Sequence, residues 1–158
     1  MTDQMKKNFT VRITQANKSE LIVILYEMYL AYLDDARQAL ETRQNRAGFR
    51  EGIRKAGSCV RELMQSLDHR YAVAGQLFRL YAYVMKEMSR ADARGSAEPL
   101  VICRKVMTEL LEAYREVSRQ DDSAPIMEHT QTVYAGLTYG KGELTESLSH
   151  ERNRGFLV

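Results

Sequence analysis

From Leu21 onward the chain sets apolar residues at alternating three- and four-residue steps in four successive runs, with polar or glycine-containing breaks between them. That spacing places each set on one face of a helix. The first run (Leu21, Ile22, Ile24, Leu25, Met28, Tyr29, Tyr32, Leu33, Ala36, Leu40) is wider than one stripe, which predicts a central helix contacted on two sides. Its start is marked by Asn17-Lys18-Ser19-Glu20, a capping-box arrangement in which Glu20 follows a good N-cap by three residues. The second run (Phe49, Ile53, Ala56, Val60, Leu63, Leu67) predicts a helix from about Arg46 to Asp68. The third turns Val73, Leu77, Leu80, Tyr81, Val84, Met88 and Ala91 inward and stops at Arg94-Gly95-Ser96. There Gly95 suits a left-handed C′ position and Ser96 an N-cap for the next helix. The fourth (Leu100, Cys103, Met107, Leu110, Tyr114, Val117) ends near Gln120, before Asp121-Asp122-Ser123-Ala124-Pro125.

Faces of this kind must be buried against other helices. The predicted fold is therefore all-α, an antiparallel four-helix bundle over residues 1–124, with a short N-terminal segment ahead of it. Residues 125–158 are expected to form a flexible, non-helical C-terminal tail, because glycines and small polar residues replace the helical pattern there.

Composition narrows function mainly by exclusion. The 23 basic and 21 acidic side chains leave a net charge of +2, too little to point to nucleic acid or an anionic membrane. The apolar stretch Leu21 to Ile24 falls far short of the roughly 20 residues that span a bilayer, and no signal peptide is visible, so a cytoplasmic protein without membrane insertion is expected. Cys59 and Cys103 lie on or beside apolar stripes without ligand spacing and are read as reduced core thiols. None of the three histidines follows a glutamate by three residues, so the di-iron pattern of some bundles is missing and no metal is expected. No nucleotide-binding or nucleophile motif is found, so no catalytic residue or cofactor is assigned and the chain is read as not an enzyme.

The remaining features bear on partners. Gly48, Gly52 and Ala56 form a row of small residues continuing to Cys59 and Leu63. Each mid-helix glycine costs about 0.5–1 kcal/mol relative to alanine, which is carried either for close helix packing or for a shallow groove that seats another chain. Tyr81 and Tyr83 point about 200° apart on a helix, so one of them must face outward. Arg46, Arg50 and Arg54 recur at four-residue intervals, with Arg61 beyond them. They support an alternative reading as an RNA-binding or regulatory bundle, against which stands the lack of interleaved aromatics.

Two stretches resemble the FliS family of flagellar secretion chaperones. Ala16 through Glu27, with Glu20-Leu21 and then Ile24-Leu25-Tyr26-Glu27, is similar to the family's first-helix signature. Leu63-Met64-Gln65-Ser66-Leu67-Asp68 followed by Leu77-x-x-Leu80-Tyr81-x-Tyr83 resembles its second-to-third helix region. Asn17-Lys18 stands where the family has Ser-Pro, and His69-Arg70-Tyr71-Ala72 where it often has Gly-Gly. The resemblance implies a flagellin-specific export chaperone in the cytoplasm. Such a protein binds the disordered C-terminal segment of flagellin, prevents premature polymerisation and assists delivery to components of the type III export apparatus. The expected partner-binding residues are Gly52, Ala56 and Cys59 as groove floor and Tyr81 and Tyr83 as walls, with Phe9, Val11 and Ile13 as a displaceable N-terminal cover. A weak homodimer would bury the same groove.

Overall fold

The computed structural model describes residues 1–127. The chain divides into two compact units, Met1–Ile126 and Met127–Val158, and the helices belong to the first. Most of the expected tail, residues 128–158, lies outside the described residues. Five helices make up the unit: α1 (Asp3–Gln15), α2 (Lys18–Glu41), α3 (Arg46–Gln65), α4 (Ala72–Arg94) and α5 (Leu100–Arg119). Helices α2 to α5 are the four predicted from the apolar stripes. They form a closed ring in which α2 packs on α3, α3 on α4, α4 on α5 and α5 on α2.

The ends follow from local chemistry. Asn17 and Glu20 form the expected capping box, Asn17 Oδ1 accepting from the Glu20 N–H and Glu20 Oε2 from the Asn17 N–H, both at 2.9 Å. Asn45 caps α3 by accepting from the Gly48 N–H at 2.9 Å. Helix α4 stops at Gly95, whose φ of 62° is the left-handed conformation that glycine adopts without strain. Two boundaries differ from expectation. Helix α3 ends at Gln65, and α5 begins at Leu100 after Pro99, so Ser96 caps nothing helical and instead accepts from the Glu98 N–H within the turn.

The N-terminal segment is itself a helix. Thr2 caps α1 by accepting from the Met5 N–H, and Asp3 sits in the first turn, where the helix dipole favours a negative charge. Helix α1 lies against α2 alone among its substantial contacts, on the side away from the ring. This is why α2 has apolar residues on two sides: Tyr26, Tyr29, Leu33 and Ala36 face the core while Ile24, 2% exposed, is covered from behind.

The core is continuous from α2 to α5 and is crossed by tyrosines. Tyr26 and Tyr29 are fully buried; Tyr26 Oη shares a hydrogen bond with Tyr81 Oη, and Tyr29 Oη donates to Met88 Sδ at 3.6 Å. These pairs link α2 to α4 across the diagonal of the ring, where backbone contact is slight. Burial raises the Tyr26 and Tyr29 hydroxyls above the ordinary tyrosine range, and Tyr81 to about 12. All three are neutral hydrogen-bonding groups. Cys59 and Cys103 are buried free thiols, as expected, each pushed up to about 11 by desolvation and so poor nucleophiles.

Candidate functional site

The small-residue row turns out to be packing. Gly52 faces Ala36 so closely that a Cβ on it would lie 2.6 Å from the Ala36 Cβ and 2.8 Å from the Ala36 Cα. It permits α2 and α3 to touch backbone to backbone. Ala56 and Cys59 are buried beside it, at 0% and 4% exposure. Tyr81 is likewise interior, occupied by its bond to Tyr26. These four residues belong to the core and line no open groove, because α2 already fills the space in front of α3.

A cleft of about 530 Å³ lined by Arg12, Glu20, Ile24, Arg115 and Arg119 lies where α1, α2 and α5 meet, and the opposite edge of the ring is also open. On α5, Arg104 reaches Asp34 and Arg115 reaches Glu27, which marks the flank turned toward α2. At about 100° per residue, Ile102, Val106, Leu110 and Val117 fall on the other flank, toward α4. On α4, Met85 near Gly57 and Asp92 bound by Arg50 mark the side toward α3. Val73, Leu80 and Tyr83 fall on the side toward α5. Of the four ring interfaces, that between α4 and α5 is the thinnest, and its outer margin is apolar and in contact with solvent. Val73, Leu80, Tyr83 and Val117 are 54%, 37%, 43% and 53% exposed. Val106 and Leu110 are half-buried beneath them.

At the end where α4 begins, this seam runs into a pocket of about 200 Å³ whose walls include Ile22, Leu67, Tyr71, Val73, Leu77 and Tyr114. Its inner side rests on the tyrosine cluster, with the Tyr114 and Tyr26 ring centroids 5.5 Å apart. An apolar seam on rigid helices, ending in a pocket with room for one large side chain, is suited to taking up the apolar face of another chain.

The spacing of Val73 and Leu80 fits the buried stripe of α4, but the structure exposes both. Ala74, small and easily overlooked, takes the buried position at that level, 2% exposed. The available signal was the surplus: α4 carries more large apolar residues than one buried stripe accommodates. Tyr83 alone among the five expected partner-binding residues stands on the open seam. Of the expected cover, Phe9 and Ile13 are half-buried in α1 while Val11 is 44% exposed on its outer side. All three sit with α1 behind α2.

The arginines of α3 have partners within the molecule. Arg50 Nε donates to Asp92 Oδ1 at 3.0 Å, and Arg46 Nη2 to the Asp92 carbonyl at 3.1 Å near the end of α4. Arg54 forms two bonds to Glu51, which holds that carboxyl down to about 2, and Arg61 donates to Ser58 Oγ. No cluster of three or more potential metal ligands occurs among the described residues, and no described helix is long and apolar enough to cross a membrane.

Fold and surface together define a helical-bundle module whose open face suits binding another polypeptide. The family model described as "Flagellar protein FliS" matches residues 1–121, and the chain belongs to the FliS family of flagellar export chaperones. No curated protein matches the sequence.

Proposed function

We propose that this chain is a flagellin export chaperone that binds the C-terminal segment of flagellin along the α4–α5 seam. The single observation that carries the docking site is the continuity of the exposed residues Val73, Leu80, Tyr83 and Val117 with the apolar pocket beside Tyr71 and Tyr114. An amphipathic client segment lays its apolar face along the seam and anchors one large side chain in the pocket. Each well-buried aliphatic contact contributes about 1.5–3 kcal/mol, which offsets the cost of ordering a segment that is disordered alone. Holding that segment keeps the client from polymerising in the cytoplasm, before it passes to the export apparatus.

Helix α1 acts in this scheme as a displaceable cover, now on the back of α2. It contains no fully buried residue, so it yields to a client whose segment extends from the seam round to the back of α2, where Ile24 lies. The test is the affinity of a flagellin C-terminal peptide for Val73→Glu/Leu80→Glu. Both positions are exposed, so the fold is retained, and the affinity is expected to fall at least about 30-fold as two apolar contacts are replaced by charges. Unchanged affinity refutes the seam, and loss of self-association without loss of peptide binding assigns it to a homodimer instead.

A further inference from the structure

The residues that follow α5 cross the junction between α1 and α2. Asn17 Nδ2 donates to the Asp121 carbonyl at 3.1 Å and the Ser123 carbonyl at 3.3 Å, and the Ser19 hydroxyl donates to the Asp121 carboxylate. The Ile126 N–H donates to the Ala16 carbonyl at 3.1 Å. Asn17 is 5% exposed and does all this while capping α2. Ala16 and Asn17 are both in extended conformation, so they form the hinge between the two helices. On the far side of that hinge, α1 is tied down by the ion pair of Arg12 with Glu27, a carboxylate it shares with Arg115 of α5.

We infer that residues 121–126 are a strap that fixes the α1–α2 hinge and couples the segment after α5 to the docking of α1. With the strap in place the Ala16 carbonyl and the Asn17 side chain are held, so lifting α1 from α2 strains the strap bonds. A partner that takes hold of residues 121–126 therefore loosens α1. By linkage, one that lifts α1 loosens the strap to the same degree. The device is a property of the free protein, so its test needs no client and its failure would leave the docking seam untouched.

The experiment is hydrogen exchange on the full chain carrying Ser19→Ala with Ile126→Pro. The first change removes a tie to Asp121 and spares the Asn17–Glu20 capping box; the second removes the N–H that Ala16 accepts, at a side chain 57% exposed. Amides in the second half of α1 are expected to exchange about fivefold faster, the ratio that loss of about one ordinary hydrogen bond produces, with α3 and α4 unchanged. In the reciprocal direction, Arg12→Gln is expected to speed exchange of the Ile126 amide about two- to threefold, as loss of a surface ion pair does. Unchanged α1 exchange in the double variant overturns the inference. Equal acceleration in every helix does so too, since the strap would then support the bundle as a whole. An Ile126 amide indifferent to Arg12→Gln overturns the coupling.

Discussion

Gly52 and Gly57 stand five residues apart on α3, are both buried, and respond oppositely to the addition of one methyl group. Replacing a mid-helix glycine by alanine gains about 0.5–1 kcal/mol from backbone entropy alone. At Gly57 the new Cβ meets nothing closer than Arg61 Nη1 at 3.4 Å and Met85 Cε at 3.7 Å, both flexible ends at ordinary contact distance. Gly57→Ala is therefore expected to stabilise by about 0.5–1 kcal/mol. At Gly52 the Cβ would meet Ala36 Cβ at 2.6 Å, Cα at 2.8 Å and N at 2.9 Å. No rotamer change relieves contact with backbone, so α2 and α3 must separate along their shared interface. Overpacking of this kind costs about 1–3 kcal/mol, and rigid neighbours place it at the upper end, leaving Gly52→Ala about 2 kcal/mol less stable. Urea denaturation with the slope held constant reads both values, and the thermal midpoint of Gly52→Ala should fall by about 8 °C. A Gly52→Ala protein as stable as the parent would refute the close approach of the two helices.

Tyr81→Phe leaves the buried Tyr26 hydroxyl without its partner and is expected to cost about 1–3 kcal/mol, whereas Tyr26→Phe/Tyr81→Phe costs less than the two single changes added; a double-mutant cycle in urea measures the coupling. Asp121 is held at about 2, below its ordinary value near 3.8, by hydrogen bonds from Ser123 and Ser19. A depressed folded-state value means the unfolded chain binds the proton more readily, so the stabilisation is complete above about pH 4 and is lost as pH falls through about 2. Urea midpoints from pH 5 to 2 should thus fall less steeply for Asp121→Asn than for the parent. Glu27→Gln weakens ion pairs from both α1 and α5, and its effect, within about 1 kcal/mol, should shrink as salt is raised, which denaturation in low and high salt would show.

The ring of helices was legible in the sequence because amphipathic periodicity is a property of each helix taken alone. Asn17-Glu20 and Gly95 were legible for the same reason: capping is settled within a few residues. Helix α1 was not, since its apolar residues Met5, Phe9 and Ile13 are sparse, and its docking depends on a face of α2 that the first helix's excess width only hinted at. The packing of the expected groove floor was set by a tertiary fact. Whether Gly52 floors a groove or admits a neighbour depends on where Ala36 lies, and no local pattern of α3 contains that information. Val73 and Leu80 follow the same logic in reverse: their spacing fits a buried stripe, but the thin α4–α5 interface leaves them uncovered.

The central claim, that the α4–α5 seam takes up a flagellin segment by apolar contact, is tested most directly by calorimetric titration of the full chain with the C-terminal segment of flagellin at several temperatures and two salt concentrations. Binding with a large negative heat-capacity change and little salt dependence is expected, lost in Val73→Glu/Leu80→Glu and retained in Arg50→Glu/Arg54→Glu. Absence of binding to the parent protein would contradict it, as would an affinity that falls steeply with salt and disappears with the arginines of α3.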